Sequence, residues 1–327
     1  MKRRQLITTP AGGTFGSSLP AAAQTAPPIV GFLGLANKQA DQPAVDALRQ
    51  GLRRLGYVEG RTIVVEAPEF EGDVKLAEAT IVDMTKRGVA VLVAPGPAVT
   101  RIAKRASSLP IVAIGLPAGA AAKDLYESLA KPGGTITGFS TYGEELSAKR
   151  IQIVRQVLPQ AKVIGILHNV IDPVFREWGD QTEASAKAQG LMPVRLGLRS
   201  QSAGELTAML DELRRQQGDS LIVIRDFLTV SLKDEICNGS LDRGIASVAE
   251  LVEFAEAGAL FAYGPDFPDL FLRAASYVDR ILKGQKAADL PIQLPVKFQM
   301  AINLRTAKSL GLTVPPDVLV SADPVFE

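Results

Sequence analysis

The sequence has 327 residues, of which 46% are hydrophobic and 22% charged, so the chain can bury more than one core and is not a disordered polymer. Its 36 lysine and arginine residues balance 35 aspartate and glutamate residues, which excludes a strong long-range attraction for nucleic acid or an anionic membrane. A single cysteine, Cys237, excludes an intramolecular disulfide, and a single histidine, His168, argues against a zinc site.

Residues 1–26 are predicted to be an export signal rather than part of the fold. Arg3 and Arg4, followed by Gln5 and two apolar residues, match the core of a twin-arginine signal, and three alanines fit a cleavage site before Gln24. Prolines and glycines interrupt the apolar part of this segment, so a disordered tail and the general secretory route stay open as alternatives. We expect a periplasmic protein without a lipid anchor, because no cysteine lies near the cleavage site.

Between residues 28 and 139, short apolar strands alternate with amphipathic helices. Val45, Leu48 and Leu52 recur at spacings of three and four, which is one face of a helix. A helix is also expected after the fourth strand, ending at the turn 131–134. The five predicted strands are Ile29–Leu35, Thr62–Glu66, Val89–Ala94, Ile111–Ile114 and Thr135–Phe139.

The alternation then restarts and gives a second series of five strands. They are Val163–Leu167, Val194–Leu198, Leu221–Ile224, Ile245–Val248 and Ala259–Tyr263. A helix over Phe267–Leu282, a strand-like run over Gln299–Asn303 and a short helix near Ala307 follow. The pattern predicts an α/β fold of two doubly wound parallel-sheet lobes joined by a multi-strand hinge. The predicted boundaries are 27–139 plus 264–290 for the N-terminal lobe and 140–263 plus 291–327 for the C-terminal lobe.

Ligands of such sheets bind outside the carboxyl ends of the strands, so the loops there are the candidate site. Gly96 lets the backbone approach a ligand closely, and the helix that it opens presents free N–H groups to an anion such as a carboxylate. Plain turn chemistry is the alternative for each of these loops. The candidates in the first series are Leu35, Ala36, Gly96, Pro97, Ala98, Leu116 and Tyr142.

In the second series, Asp226 is a candidate for pairing with a ligand ammonium, and Phe227 and Tyr263 for stacking on an apolar part of the ligand. Asp226 could equally pair with Arg225 or cap the next helix. The candidates here are His168, Asn169, Asp226, Phe227 and Tyr263. His168 could equally make only a structural hydrogen bond.

The motifs of several enzyme classes are absent from the sequence. There is no G-x-x-x-x-G-K-[ST] phosphate loop, no G-x-G-x-x-G after the first strand and no G-x-S-x-G nucleophile elbow. We therefore predict no catalytic residues, no metal and no cofactor.

Five segments of the chain, in order, resemble one family of ABC-transporter substrate-binding proteins that includes tryptophan- and tyrosine-type members. The first, 50–61, resembles the family signature GLRELGYVEGRN, and 128–138 resembles SLARPGGNITG. The others are 256–265, 277–284 and 301–312. The resemblance covers nearly all of residues 28–327 and implies the type I periplasmic-binding-protein fold.

The sequence departs from the family pattern in the predicted pocket loops. Pro95-Gly96 stands where the family often has a hydroxyl residue before Pro-Ala, and Leu116 stands where it has an aspartate. The family's second-lobe Asn-Pro appears within the run 168–173. These changes put an amino-acid ligand in doubt and favour a less polar carboxylate.

The resemblance implies a monomer that captures a small molecule and delivers it to ABC permease subunits in the inner membrane. An aromatic or other amino acid, or a less polar carboxylate, is the expected ligand. The alternatives are a transferase-type enzyme on a double Rossmann-like fold and a ligand-presenting sensor subunit.

Overall fold

The computed structural model describes residues 26–141 and 143–327, and its first sheet has five parallel strands in the order β2-β1-β3-β4-β5. The strands are β1 Ile29–Phe32, β2 Val64–Glu66, β3 Val91–Pro95, β4 Ile111–Leu116 and β5 Ile136–Ser140. Helices α1 Lys38–Arg54, α2 Val74–Lys86 and α3 Pro97–Ala106 connect the first four strands. Residues 1–25 of the predicted export signal, and Tyr142, lie outside the described residues.

The second sheet has seven strands in the order β12-β11-β10-β9-β8-β6-β7, and only the β10–β11 pair is antiparallel. Its strands are β6 Val163–Asn169, β7 Met192–Leu198, β8 Ser220–Val223, β9 Ala246–Ala249, β10 Phe261–Pro265, β11 Phe298–Asn303 and β12 Val325–Phe326. Nine helices occur in this part of the described chain: α4 Gly143–Val157, α5 Pro173–Ala188, α6 Ala203–Arg215, α7 Phe227–Ser231, α8 Lys233–Asp242, α9 Val252–Glu256, α10 Phe267–Leu282, α11 Leu304–Ser309 and α12 Pro316–Leu319.

Helix α10 follows a strand of the second sheet but packs on the first. Phe271 of α10 contacts Phe32 of β1 with 6.0 Å between ring centroids, and Tyr277 lies 5.1 Å from Phe139 of β5. The chain then passes Gln293, whose carbonyl accepts a hydrogen bond from the Ser140 amide at 2.9 Å, before it enters β11. The chain therefore crosses between the two sheets three times.

These observations confirm two parallel-sheet lobes joined by several chain segments. We call the first sheet with its helices and α10 the first lobe, and the rest the second lobe. The boundaries given above from the sequence stay a prediction. None of the helices in the described ranges is both long and apolar enough to cross a membrane.

The prediction of a helix between β4 and β5 is wrong. The structure has only a 3-10 turn, Gly119–Ala122, and an irregular segment up to β5. That segment is fixed by other bonds: the Tyr126 hydroxyl donates to the carbonyl of Pro117 at 2.6 Å, and the Glu127 amide donates to the carbonyl of Pro132 at 2.8 Å. These bonds, and not prolines or glycines within residues 120–131, account for the irregular path of this segment.

Candidate ligand-binding cleft

The carboxyl ends of the two sheets face each other across a cleft, and side chains connect its walls. The amide of Asn37, at the start of α1, donates to Ser231 Oγ at 3.2 Å, and its Nδ2 donates to the Ser231 carbonyl at 3.3 Å. Arg101 of α3 lies 3.3 Å from Asp172 at the start of α5. These contacts join first-lobe to second-lobe residues, so the structure represents a closed cleft.

Gly96 forms one wall of a small cavity of about 20 Å³ in this cleft. Its φ of 109° lies in the region that favours glycine, and Pro97 follows as the first residue of α3. Of the residues predicted from the sequence, the structure brings together Leu35, Gly96, Pro97, Ala98, Asp226 and Phe227 around this cavity.

Asp226 is 3% exposed and its carboxylate is already bonded within the protein. Oδ1 accepts hydrogen bonds from the amides of Leu228 and Thr229, and Oδ2 accepts one from Asn169 Nδ2 at 2.8 Å. Burial raises the pKa of Asp226 to about 6, and these hydrogen bonds oppose the rise. The arrangement favours the helix-cap interpretation of Asp226 over the ammonium partner.

His168 does not line this cavity. Successive side chains of a strand point to opposite faces, and Asn169 points to Asp226, so His168 points the other way. Its Nε2 lies 2.6 Å from Nη2 of Arg195, in an outer groove near α5. Burial, and then the charge of Arg195, lowers the pKa of His168. This placement favours the alternative that His168 makes a structural contact, and a role in ligand binding stays a prediction.

Tyr263 and Leu116 also lie away from the cavity. Tyr263 packs against the second-lobe core and lines a separate cavity beside Phe298. Leu116 is fully buried in the first-lobe core, and its carbonyl accepts a hydrogen bond from Ser140 Oγ at 2.8 Å. Ala36 affects the cleft through its backbone and not its side chain, because its amide donates a hydrogen bond to the carboxylate of Asp41.

Arg225 is a cleft residue that the sequence analysis treated only as a partner for Asp226. Its side chain is 14% exposed, and its guanidinium carbon lies 4.1 Å from the centroid of Phe267. The nearest carboxylate oxygen is Glu250 Oε2, 4.0 Å from Nε. Within the described residues no acceptor lies at hydrogen-bonding distance from the guanidinium.

Arg225 also reaches the first lobe at Gly115. A Cβ atom at Gly115 would lie 2.5 Å from Arg225 Nη2, and Gly115 has a φ of 81°. The backbone therefore favours glycine here, and an added Cβ would displace the Arg225 guanidinium. This second-lobe cation thus lies directly against the end of β4.

Asp41, in the first turn of α1, lines a cavity of about 70 Å³ together with Arg225, Phe267 and Phe271. Burial raises the pKa of Asp41 to about 7, against the opposing effects of the Ala36 amide and the charge of Arg225. A signal for Arg225 was available in the sequence, because it lies two residues after the carboxyl end of β8, where ligands bind, whereas Asp41 lies within helix α1.

Comparisons with known proteins agree with this architecture. The profile of a family described as ABC transporter substrate binding protein matches residues 31–326. A tyrosine-binding protein from Clostridioides difficile (strain R20291) is 25% identical over 280 residues, which are 83% of this chain and 79% of that protein.

Two solved structures of the same fold differ in their ligand state. An ABC domain in complex with L-Trp from Streptococcus pneumonia has a TM-score of 0.84 at 21% identity, over 92% of this chain and 100% of that one. The ligand-free, open structure of a substrate binding protein with adhesive properties from Clostridium difficile has a TM-score of 0.64 at 20% identity, over 89% of this chain and 97% of that one.

Proposed function

The chain belongs to the ABC transporter substrate-binding protein family, and from that premise we propose that it captures an amino acid for an ABC importer in the periplasm. The two lobes close on the ligand and the closed form docks on permease subunits of the inner membrane. The protein acts as a monomer and binds its ligand without transforming it.

The observation that carries this proposal is the closed cleft itself. Loops from both sheets meet there, and contacts such as that between Asn37 and Ser231 join the two lobes without belonging to either core. A hinge motion would break these polar contacts and the packing of Phe227 and Leu251 against the first lobe, while the buried core of each lobe stays intact. A ligand that contacts both lobes would favour the closed state.

The two named relatives support an amino acid as the ligand. One is a tyrosine-binding protein, and the other is a complex with L-Trp. A less polar carboxylate is the second candidate, favoured by the replacement of polar family residues at Gly96 and Leu116. Aromatic walls at Phe267 and Phe271 suit either ligand.

Export rests on the N-terminal sequence. The positions of Arg3 and Arg4 support the twin-arginine route, and mature protein starting near Gln24 is expected in the periplasm. Sequencing the N-terminus of protein from the native host tests this; an intact Met1 would contradict it. Replacing both arginines by lysine should block export, and continued export would favour the general secretory route.

Binding is tested by titrating the mature protein with the twenty L-amino acids and with carboxylic acids that lack the amine. Heat release or a raised melting temperature is expected for at least one of them, because a ligand at a hundredfold excess over its Kd adds about 2.7 kcal/mol of stability. No response to any of these compounds would contradict the proposed ligand class.

A further inference from the structure

The guanidinium of Arg225 is a charged group of the cleft that forms no hydrogen bond with the described residues. It lies at the carboxyl end of β8, is largely removed from water, and stacks on Phe267 of the other lobe. Among the described residues, its N–H groups meet no hydrogen-bond acceptor. The guanidinium therefore has free donors in the cleft, and an incoming carboxylate can accept hydrogen bonds from two of them at once.

Two buried charged residues of the second lobe, Glu250 and Arg150, form the electrostatic surroundings of Arg225. Glu250, at the end of β9, is 4% exposed in its side chain and lies 4.0 Å from Arg225 Nε. Arg150, which is 2% exposed, donates to the Tyr263 carbonyl and to Ser147 Oγ at 3.1 Å each. Burial lowers the pKa values of Arg225 and Arg150, and in both cases the charge of Glu250 opposes this. The negative charge of Glu250 is therefore shared between two arginines. The guanidinium N–H groups of Arg225 stay available to a ligand.

Asp41 supplies a negative charge from the first lobe on the wall of the same cavity. Its carboxylate is held against the backbone, since a Cβ atom at Gly34 would lie 1.9 Å from Oδ2, and the Ala36 amide donates to it. Asp41 interacts electrostatically with Arg225 but forms no ion pair with it within 4.0 Å. The two opposite charges face one cavity from opposite lobes.

The remaining walls of this cavity are mostly apolar. Pro43, Leu251 and Phe271 line it, and an adjoining cavity of about 190 Å³ shares Pro43 and Leu251 with it. A head group at the two charges would therefore have space beside it for a side chain, in a cavity that Pro43 and Leu251 line together with polar and charged residues such as Lys233 and Asp234. The two charges and the neighbouring space are arranged as an α-amino acid requires.

We propose that Arg225 and Asp41 form a clamp with one charge on each lobe, in which Arg225 binds the carboxylate of an α-amino acid and Asp41 binds its ammonium. This inference rests on the proposed function, because it assigns the chemistry of the same cleft. It selects α-amino acids over carboxylates without an amine. It also couples recognition to closure, since neither lobe alone holds both charges.

The clamp predicts proton-linked binding, because only ionised Asp41 pairs with an ammonium. Two other charged groups, Arg225 and Glu253, line the same cavity as Asp41. Glu250 and Asp226 act electrostatically on Arg225. In the closed structure burial raises the pKa of Asp41 to about 7, so the carboxyl is protonated below that pH and affinity should fall as the pH drops from 8 to 6. The Asp41→Asn variant should lose most of this dependence.

The direct test is calorimetric titration of the mature protein with the tightest-binding L-amino acid, its deaminated acid and its decarboxylated amine. Wild type should bind the amino acid more tightly than either analogue. Arg225→Gln and Asp41→Asn should each weaken the amino acid roughly tenfold to a hundredfold. Asp41→Asn should leave the affinity for the deaminated acid almost unchanged, and Arg225→Gln should leave that for the amine almost unchanged.

Matched controls are Arg53→Gln and Asp46→Asn, which remove an exposed charge of each sign on α1 and should not change affinity. If Arg225→Gln does not fold, Arg225→Lys keeps the charge, loses the bidentate fork and should still weaken the amino acid. Equal affinities of wild type for the amino acid and the deaminated acid, or unchanged affinity in both cleft variants, would overturn the clamp and leave the proposed function standing. Binding of none of the compounds by wild type would overturn both.

Discussion

At the residue scale, the glycine facing Arg225 makes a sharp prediction. Gly115→Ala should lower stability by about 1–2 kcal/mol, because of its positive φ, and should also weaken ligand binding, because the added methyl group displaces the guanidinium. Thermal unfolding and calorimetry measure the two effects. Gly56→Ala is the control, since Gly56 has a φ of 90° but open space around its Cβ position. If both variants bind ligand as tightly as wild type does, ligand binding does not depend on the observed position of the Arg225 guanidinium.

Asp226 separates two interpretations at the same scale. If it caps α7, Asp226→Ala should lower the free energy of unfolding by about 1–2 kcal/mol and leave the preference for amino acid over deaminated acid unchanged. Chemical denaturation and titration of both ligands are the measurements. A selective loss of affinity for the amino acid would instead restore Asp226 as the ammonium partner.

The sequence predicted the loops that line the cleft, and the structure brings some of the candidate side chains together there. Gly96 lies at the wall of the cavity, although plain turn chemistry was an alternative interpretation of the same residues. His168 and Tyr263 lie away from this cavity because the face to which a strand residue points depends on register, which loop position alone does not give. Arg225 and Asp41, the residues of the proposed clamp, were not among the candidates because their significance depends on how the two lobes meet, far apart in sequence.

At the scale of elements, the start of α1 both caps a helix and joins the lobes. Asn37→Ala should cost about 1 kcal/mol of stability through the lost bond to the Ala40 amide, and should also weaken ligand binding because Nδ2 no longer reaches Ser231. Thermal unfolding and titration test this. The control is Asp73→Ala, which removes the cap of α2 alone. Equal affinities in the two variants would mean that the Asn37 contact does not stabilise closure.

Element periodicity predicted most strands and helices, since buried parallel strands and amphipathic helices leave clear patterns. The exceptions have local causes. The segment after β4 is held by Tyr126 and by backbone bonds that a helical pattern does not reveal. Strand β12 has only two residues, too few to show alternation, and it is added at the edge of the sheet by pairing with β11.

At the scale of the whole molecule, three chain crossings join two separately packed lobes, and the cleft charges are divided between them. The closed arrangement is held across the cleft by polar contacts, by the stacking of Arg225 on Phe267 and by apolar contacts of Phe227 and Leu251 with the first lobe. We expect the free protein to open in solution and the ligand to favour the closed form. This division of charge explains why a ligand with two opposite charges would drive closure more strongly than one with a single charge.

Small-angle X-ray scattering of the mature protein, with and without a saturating concentration of its tightest-binding L-amino acid, tests the central claim of capture by closure most directly. We predict a smaller radius of gyration and a scattering curve that fits the closed structure when the amino acid is bound, and a larger radius without it. An unchanged radius of gyration at a concentration where calorimetry shows full occupancy would contradict closure of the lobes on the ligand.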